Sequence, residues 1–369
     1  MLVVIRTDAS ALIGTGHVVR CLTLADALRR ADCAVLFVCR YLPDHLQQQI
    51  EACGHTVQLL ASPNALPQSS GSDDYNAWLG VDQLNDARDT RAAVHSVTNH
   101  VDLLIVDHYS LDARWEERLE SYVNSIMVID DLANRRHKCD ILLDQNLNAQ
   151  ELSKYSQLVP PGCKLLCGPK YALLREEFII ARSNLRERSG DLKRVFVFYG
   201  GVDPTGETVK SIKALLSLDR SRLRVTVVAG RANPRLGEIV SLCQTNDRIE
   251  HIEHTERMAE LMAQADLALG AGGTTTWERC FLGLPTIAVE VAENQRLVLQ
   301  APAEIGLVWN LGWHADVTAD DIRNKLKWVL SHSDAVAQMS RAALKQFENA
   351  GGGVKEVVKQ ILRVENVYA

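Results

Sequence analysis

Short runs of aliphatic and β-branched residues alternate with amphipathic stretches along almost the whole chain. This alternation is typical of parallel sheets whose strands are joined by crossover helices, and it predicts an α/β fold. Apolar residues three to four positions apart, from Val18 to Leu28, predict a helix over about residues 16–30. The predicted strands are 2–5, 34–38, 56–60, 101–106, 125–129 and 141–143 in the first half, and 195–199, 225–229, 249–252, 267–269, 286–289 and 307–309 in the second.

The predicted strands fall into two similar groups, which a charged segment at 181–194 separates. The chain has 369 residues, of which 47% are hydrophobic, and this is enough apolar material for two cores of ordinary size. We therefore predict one Rossmann-like domain over 1–185 and a second over 190–369. The helical stretch at 318–366 ends the second domain, and its last helix could return to brace the first. The turn-rich segment 62–76 is predicted to be a surface loop.

Charge and hydropathy exclude several classes of protein. The net charge of -6, from 40 basic and 46 acidic residues, argues against a nucleic-acid-binding surface. No apolar run reaches the roughly 20 residues that a membrane span needs, and Arg6 and Asp8 interrupt the N-terminus before a signal-peptide core is complete. The nine cysteines include no C-x-x-C pair, so we interpret them as small buried side chains. We expect a cytoplasmic protein without a nucleic-acid or membrane partner.

The turn between the first predicted strand and the first helix contains Gly14 and Gly16. Glycines in such a turn let the backbone approach a ligand, and the N–H groups at a helix start favour polar or anionic groups. The spacing lacks the third glycine of a dinucleotide-binding loop. Asp8 and Ser10 flank this turn and are candidates for orienting a substrate or a water molecule.

His17 lies in the first turn of the predicted helix, where the helix dipole favours the neutral imidazole. A neutral imidazole can act as a general base near pH 7. His17 is therefore the candidate catalytic residue of the first domain. Its position alone is also compatible with a side chain that only caps the helix or packs against it.

A second glycine cluster lies between a predicted strand and a helix, at residues 270–278. Gly272, Gly273 and Thr274 form a suitable cradle for a diphosphate at the helix start. Glu278, one turn inside the helix, can accept two hydrogen bonds from a ribose diol. A tight turn without a ligand is the alternative, but the cluster follows the carboxyl end of a strand, where open α/β sheets bind ligands.

Two further turns of the second half precede helices in the same way. Gly201 lies in the turn that opens the second domain, where Asp203 or Thr205 could instead be the N-cap of the next helix. Asn294 and Gln295 follow an apolar strand, and their amides suit hydroxyl and N-acetyl groups because they donate and accept hydrogen bonds without charge. These two amides could equally cap the helix that follows.

Polar residues also end two strands of the first half. Asp107, His108 and Tyr109 follow a strongly apolar run, and Asp130 and Asp131 follow the next one. We expect Tyr109 to lie near the ligand, because carboxyl ends of parallel strands meet at one edge of a sheet. Adjacent acids suggest a metal site, but consecutive strand residues point to opposite faces, so we expect no metal there.

Residues 6–22, with the sequence RTDASALIGTGHVVRCL, closely resemble the opening motif of the nucleotide-sugar hydrolases of pseudaminic acid biosynthesis. Residues 107–109, 130–131 and 168–175 resemble later blocks of the same family. The resemblance extends over most of the first 300 residues. It implies an enzyme that releases UDP from UDP-2,4-diacetamido-2,4,6-trideoxy-β-L-altropyranose.

The second half also resembles the nucleotide-binding domain of the N-acetylglucosaminyltransferase that forms lipid II. This resemblance implies a GT-B fold, in which two Rossmann-like domains face a cleft. It further implies that the second domain binds UDP. Uracil would lie near the backbone of Ile252, the diphosphate at residues 272–274 and the ribose on Glu278.

The two resemblances together imply a mechanism. Water attacks the anomeric carbon while the bond to UDP breaks, through a transition state with oxocarbenium-like charge, and His17 takes the proton from water. The sugar would lie toward His17, with Asn294 and Gln295 near its substituents and Tyr109 orienting the sugar or the water. UDP is a good leaving group, and no metal or other cofactor is implied. We expect a monomer that acts on a small-molecule UDP-sugar.

The same fold and nucleotide site serve glycosyltransferases, in which an acceptor replaces water. A GT-B glycosyltransferase that uses a UDP-N-acetyl sugar and an unidentified acceptor is therefore the main alternative. A sugar-nucleotide-binding protein without turnover and a nucleotide-sugar 2-epimerase are the others. Dependence of UDP release on an acceptor distinguishes a transferase from a hydrolase.

Overall fold

The chain forms two compact units, each built on a single parallel sheet. The first unit comprises Met1–Leu173 and Gly352–Ala369, and the second comprises Leu174–Gly351. Two Rossmann-like α/β units were predicted, and this part of the predicted fold class is confirmed. The computed structural model describes residues 1–10, 12–63, 75–147, 153–218, 223–348 and 353–368.

The first unit is built on a sheet of seven strands. The strands are β1 (Leu2–Thr7), β2 (Ala34–Cys39), β3 (Thr56–Leu59), β4 (Val101–Asp107), β5 (Val123–Ile129), β6 (Ile141–Asp144) and β7 (Lys164–Cys167). The helices between them are α1 (Gly16–Arg29), α2 (Asp44–Ala52), α3 (Gln83–His95) and α4 (Ala113–Glu116). The strand order is β3-β2-β1-β4-β5-β6-β7, so β1 lies beside β4 although two strands separate them in sequence.

The second unit is built on a sheet of six strands. The strands are β8 (Arg194–Phe198), β9 (Arg224–Val228), β10 (Ile249–Ile252), β11 (Leu267–Ala271), β12 (Thr286–Glu290) and β13 (Trp309–Trp313). The helices are α5 (Glu176–Ser183), α6 (Glu207–Leu216), α7 (Leu236–Gln244), α8 (Met258–Gln264), α9 (Thr274–Phe281), α10 (Glu293–Glu304), α11 (Ala319–Ser331) and α12 (Ser333–Gln346). The order is β10-β9-β8-β11-β12-β13, with β8 beside β11.

A last helix, α13 (Gly353–Tyr368), returns to the first unit and packs on α1. Its Val357 and Ile361 are buried in the same apolar core as Val3 and Leu24. The division at residues 173 and 174 therefore differs from the predicted boundary at 185–190. The physical reason is that α5, which the prediction assigned to the first domain, packs on α8 and α9 of the second unit.

The observed strands overlap the predicted ones closely, with two exceptions. β7 was not predicted, because its four residues follow the turn-forming residues Pro160, Pro161 and Gly162. The last strand was predicted at 307–309 but lies at Trp309–Trp313. Leu307 and Val308 are buried apolar residues that precede the strand, while the strand itself contains an asparagine and a glycine.

Seven of the nine cysteines are buried, two are half-buried, and all nine are free thiols. Among the residues described, no helix combines the length and the apolar character needed to cross a membrane. The predicted loop at 62–76 lies mostly outside the described residues, which exclude 64–74.

Candidate active site

The carboxyl edge of the first sheet gathers polar side chains from neighbouring strands. Asp8 directly follows β1, and Asp107 ends the adjacent β4. In the sheet β1 lies between β2 and β4, so the strands that follow β1 in sequence are added first on one side of it and then on the other. Open parallel sheets bind ligands at such switch points in strand order. The helix α1 begins at Gly16 and places His17 beside Asp107.

His17 and Asp107 form a hydrogen-bonded dyad. Nδ1 of His17 lies 2.6 Å from Oδ1 of Asp107, and both side chains are buried. Because an ionised carboxylate only accepts hydrogen bonds, Nδ1 carries the proton, so in the neutral imidazole Nε2 is the nitrogen that holds the lone pair of a base. Within the described part of the chain, Nε2 of His17 has no hydrogen-bond partner. The hydrogen bond to Asp107 thus fixes the orientation of the imidazole, which the position of His17 in the helix did not determine.

Arg20 neutralises the charge of Asp107. Its Nε and Nη2 lie 2.7 and 2.6 Å from the two carboxylate oxygens of Asp107, and its Nη1 lies 3.1 Å from Asp131. Burial by itself would raise the pKa of Asp107, but the charge of Arg20 and the hydrogen bonds from Arg20 and His17 outweigh it and hold that pKa well below its usual value. Asp107 therefore stays ionised and can stabilise an imidazolium on His17.

Aromatic rings enclose one side of His17. The Tyr109 ring meets the imidazole edge to face with centroids 4.6 Å apart, and the Trp78 ring lies at 6.1 Å. The Tyr109 hydroxyl donates to Asp131 at 2.6 Å, which fixes the ring. Tyr75 contacts both Trp78 and Tyr109. The structure therefore brings the predicted Tyr109 next to His17, within a wall that shields the imidazole from water.

Asp8 takes part in buried ion pairs, and its predicted role in orienting a substrate or a water molecule stays a prediction. It is fully buried, and its oxygens accept hydrogen bonds from the Arg6 guanidinium at 2.6 and 3.0 Å and from the Arg40 backbone N–H at 2.6 Å. Nε2 of His108 lies 3.2 Å away. Burial would raise the pKa of Asp8, but Arg6 and His108 hold it well below its usual value. These donors occupy the oxygens that a substrate or water molecule would need.

The ion-pair network beneath this edge centres on Asp86 of α3. Its carboxylate accepts hydrogen bonds from Arg6 at 2.8 Å, from Arg40 at 2.9 Å and from the Trp115 indole at 3.0 Å. We expect Asp86→Ala to lower the free energy of unfolding by about 3–5 kcal/mol, because buried cations lose their partner. Asp89→Ala removes a partly exposed carboxylate 3.0 Å from Arg40 and should cost less than about 1 kcal/mol. Urea unfolding measures both, and equal losses would contradict this role.

The turn between β1 and α1 is held by Ser10. Its Oγ accepts a hydrogen bond from the N–H of Ile13 at 3.1 Å, and its carbonyl accepts one from Gly14 at 2.8 Å. Gly14 has a φ of +79°, which favours glycine. Thr15, the N-cap of α1, makes no side-chain cap hydrogen bond, so no capping side chain covers the helix start at Gly16. Substrate contacts by Ser10, Gly14 and Gly16 stay predictions.

The glycine turn between β11 and α9 combines an open space with close packing. Gly273, the N-cap of α9, has a φ of +96°, and a Cβ there would meet nothing within 4 Å. No side chain caps this helix start, which leaves its first N–H groups, at Thr274, suited to an anion. Gly272 is needed for another reason, because a Cβ there would lie 2.9 Å from Cβ of Gln295.

Glu278 forms an ion pair with Arg175. Its Oε1 lies 3.1 Å from Nη2 and 3.3 Å from Nε of Arg175. Its Oε2 is buried and has no hydrogen-bond partner among the residues described. Burial raises the pKa of Glu278, and Arg175 offsets this only in part. One oxygen is thus held in place while the other can still accept a hydrogen bond, for example from a hydroxyl group.

Gln295 is held by backbone hydrogen bonds, so only its NH2 group can face a ligand. Its Oε1 accepts hydrogen bonds from the N–H groups of Gly272 and Val291, both at 3.1 Å. The side chain therefore ties the glycine turn to the segment before α10. Asn294 lies beside it in the first turn of α10 and is half-buried. The predicted contacts of Asn294 and Gln295 with a sugar substituent stay predictions.

In the turn after β8, the N-cap of α6 is Gly206, so the prediction of Asp203 or Thr205 at that position was wrong, although Asp203 still binds the start of the helix. Its carboxylate accepts a hydrogen bond from the N–H of Glu207, at the start of α6, at 3.0 Å. Gly201 in the same turn has open space at its Cβ position, so a ligand can approach its backbone. Ile252 ends β10, and its carbonyl already accepts a hydrogen bond from Ala229 at 3.2 Å. Ligand contacts by Gly201 and Ile252 stay predictions.

Asp130 and Asp131 engage different partners. Asp130 lies 2.7 Å from Arg135, whereas Asp131 accepts hydrogen bonds from Tyr109 and Arg20. In the described ranges, no group of three or more His, Cys, Asp or Glu side chains is arranged to hold a metal ion.

Arg20, Trp78 and Arg175 are site residues that were not predicted individually. Arg20 lies three positions after His17 on α1, and residues at this spacing share one helix face, so the sequence carried a signal for it. Trp78 lies in a 3₁₀ helix at Tyr75–Leu79 and reaches His17 from a distant part of the chain. Arg175 meets Glu278 across 103 positions, and no local pattern announces either contact.

Residues 194–357 match the model of the Glycosyltransferase family 28 C-terminal domain. The UDP-2,4-diacetamido-2,4,6-trideoxy-β-L-altropyranose hydrolase of Campylobacter jejuni is 27% identical over 298 residues, which cover 80% of this chain and 93% of that enzyme. An uncharacterised protein of Methanocaldococcus jannaschii is 24% identical over 302 residues, which cover 80% of this chain. The chain spans only 57% of the length of that archaeal relative.

The crystal structure of MurG from Acinetobacter baumannii has a similar fold, with a TM-score of 0.63 and 13% identity over 98% of this chain and 99% of that chain. At this identity the similarity concerns the fold alone. It confirms the GT-B class for the two parallel-sheet units. The chain therefore has a GT-B fold and is related to enzymes that process nucleotide sugars.

Proposed function

We propose that the protein hydrolyses a UDP-sugar to UDP and free sugar, with His17 as the general base. The dyad of His17 and Asp107 carries this proposal, because it fixes the proton on Nδ1 and leaves Nε2 as the basic nitrogen of the neutral imidazole at the carboxyl edge of a parallel sheet. Similarity to the Campylobacter jejuni enzyme supports a specific substrate, UDP-2,4-diacetamido-2,4,6-trideoxy-β-L-altropyranose. The sugar product is then 2,4-diacetamido-2,4,6-trideoxy-L-altrose.

In this proposal the second unit binds UDP. The match to the family 28 domain at residues 194–357 supports this assignment. The uncapped start of α9 at Gly273 suits the diphosphate, because its N–H groups and the helix dipole favour anions. The unpaired Oε2 of Glu278 suits a ribose hydroxyl.

The proposed reaction is a single displacement by water at the anomeric carbon. Nε2 of His17 takes a proton from the water molecule as the new carbon–oxygen bond forms. The bond between the anomeric carbon and the diphosphate breaks, and its electron pair leaves with UDP. N–H groups at the start of α9 stabilise the negative charge that develops on the diphosphate. Asp107 stabilises the imidazolium until His17 returns its proton to solvent.

The direct test combines UDP release with NMR of the sugar product, without any acceptor. UDP and free sugar should form from the diacetamido-trideoxy-altrose substrate and not from UDP-N-acetylglucosamine. In water labelled with oxygen-18, the label should enter the sugar at C1, because water attacks carbon and not phosphorus. Label in UDP, or no turnover of this substrate, would contradict the proposal.

Glu278 provides a separate test of the UDP site. We expect Glu278→Ala to weaken UDP binding by roughly 10- to 100-fold, since hydrogen bonds to a charged group contribute about 1.5–3 kcal/mol. Glu177→Ala is the matched control, because Glu177 also pairs with Arg175, at 2.5 Å, and should keep the dissociation constant within about twofold. Calorimetry with UDP measures both variants. An unchanged dissociation constant in Glu278→Ala would remove the ribose contact from the proposal.

A GT-B glycosyltransferase is the second candidate, and the match to a glycosyltransferase domain favours it. In that reaction a hydroxyl of an acceptor takes the place of water, and the dyad would deprotonate it. UDP release that requires an added acceptor would support the transferase. UDP release at full rate in its absence would support the hydrolase.

A further inference from the structure

Arg279 of α9 is a buried cation beneath the glycine turn of the second unit. The residue is 1% exposed, and its Nη2 donates to the carbonyl of Ala271 at 2.6 Å. Its Nη atoms also lie 3.2 and 3.3 Å from the hydroxyls of Thr275 and Thr276. A Cβ on Gly270 would lie only 2.6 Å from Nη1. The guanidinium therefore contacts both the end of β11 and the first turn of α9.

The described part of the chain supplies no anionic partner for this cation. Among the described residues, no carboxylate lies within ion-pair distance of Arg279, and its Nε has no hydrogen-bond partner. The neighbouring Glu278 directs its Oε1 to Arg175. By contrast, the buried Arg6 and Arg20 each contact two carboxylates. A buried charge without a counter-ion is costly, so its presence here calls for a physical reason.

Arg188 shows how the same unit stabilises a buried arginine without a carboxylate. Its guanidinium donates to five backbone carbonyls, at the C-terminal ends of α8 and α9. Those helix ends carry partial negative charge, so they match a cation. Arg279 belongs to the last turn of α9, but its guanidinium reaches back to the start of the helix, where the dipole is positive and adds to its charge. The two arginines therefore differ in the helix end that each contacts: that end favours the charge of Arg188 and opposes the charge of Arg279.

Burial lowers the pKa of Arg279 to about 10, as it does that of Arg188, and nearby groups offset this only in part. The side chain is therefore protonated at neutral pH. A positive charge and a positive helix end beneath an open glycine turn together form a site that is complete only when an anion occupies it.

We propose that Arg279 is a positioning residue that makes the turn at Gly270–Gly273 select a nucleoside diphosphate over the uncharged nucleoside. The inference deepens the proposed function, because it rests on UDP binding by the second unit. Arg279 acts through the backbone of the turn and through its charge, without touching the ligand. The diphosphate supplies the missing negative charge, so binding relieves an unfavourable interaction that exists in the free protein.

The test compares UDP with uridine in variants of Arg279. Arg279→Gln removes the charge but keeps a polar amide, and Arg279→Lys keeps the charge. We expect Arg279→Gln to weaken UDP binding at least tenfold, or about 1.4 kcal/mol, and to change uridine binding less than twofold. Arg279→Lys should retain UDP affinity within about threefold. Calorimetry measures UDP, and ligand-observed NMR measures the weaker uridine.

Each outcome separates one explanation from another. A merely structural role predicts that Arg279→Gln loses UDP and uridine affinity in equal proportion, and this result would overturn the inference, as would unchanged UDP affinity. If Arg279→Gln does not fold, Arg279→Met removes the same charge with an apolar side chain and faces the same criterion. Absence of UDP binding in the unaltered protein would overturn the proposed function itself. If Arg279→Gln still prefers UDP over uridine by the same factor as the unaltered protein, only the role of Arg279 is overturned.

Discussion

We expect turnover of the UDP-sugar in the proposed reaction to fall by roughly 100- to 10,000-fold when His17 is replaced by Asn, because the variant cannot accept a proton from the attacking water. The dissociation constant of UDP should stay unchanged, since the residues proposed to bind UDP belong to the second unit. Steady-state UDP release gives the turnover number, and calorimetry gives the affinity. Loss of both quantities together would indicate a general structural defect.

His55 offers a matched control for this experiment. It is also a buried histidine of the first unit that pairs with an aspartate, with its Nε2 2.9 Å from Asp26. It lies after α2, away from the carboxyl edge where His17 is found. His55→Asn should leave the turnover number within about twofold while testing the effect of losing a buried histidine on the fold. Turnover by His17→Asn equal to that of the control would refute His17 as the base.

Replacement of Asp107 by Asn should lower turnover by roughly 1,000- to 10,000-fold. The amide can donate to Nδ1 of His17, and the imidazole then carries its proton on Nε2, where the base must be free. A loss of about 10,000-fold is known for the equivalent change in the histidine–aspartate pair of serine proteases. Steady-state UDP release at saturating substrate measures the effect, because the change should act on turnover and not on UDP affinity.

The double variant His17→Asn/Asp107→Asn distinguishes this mechanism from simple loss of stability. If Asp107 acts through His17, the double variant should turn over no more slowly than His17→Asn alone. Multiplied losses would mean that Asp107 acts independently. Thermal melting of the three variants checks folding, because Asp107 also binds the buried Arg20.

The strand pattern was predictable because each buried strand carries a local apolar run, whereas the pairing of its polar neighbours was not. His17 and Asp107 were both singled out from their positions at an element's start or end. Their contact depends on β1 lying beside β4, and this order reverses the direction in which the chain adds strands. Asp8 shows that its position in the sequence does not reveal what its side chain contacts. A carboxylate after a strand looks the same in sequence whether it faces a ligand or, as here, a buried Arg6.

In the second unit, too, some features could be predicted from the sequence and others could not. The glycines at 272–273 were predictable as a turn, because a strand and a helix flank them. The tie between Gly272 and Gln295 was not, since it joins segments 23 positions apart through a side chain that also had a plausible ligand role. Arg279 was overlooked because a basic residue inside a helix is usually solvent-exposed, and only the structure shows that it is buried with no carboxylate partner among the described residues.

The return of α13 to α1 has a consequence for the order in which the chain is made. A ribosome that adds about 5–20 residues per second needs roughly 10–40 s to translate the second unit after it completes β7. Throughout that interval the apolar surface of α1 lacks the cover that Val357 and Ile361 later provide. The helix that bears His17 is therefore among the last parts of the first unit to be stabilised during synthesis. Nascent chains stalled within the second unit should therefore expose the apolar surface of α1, which a chaperone can bind.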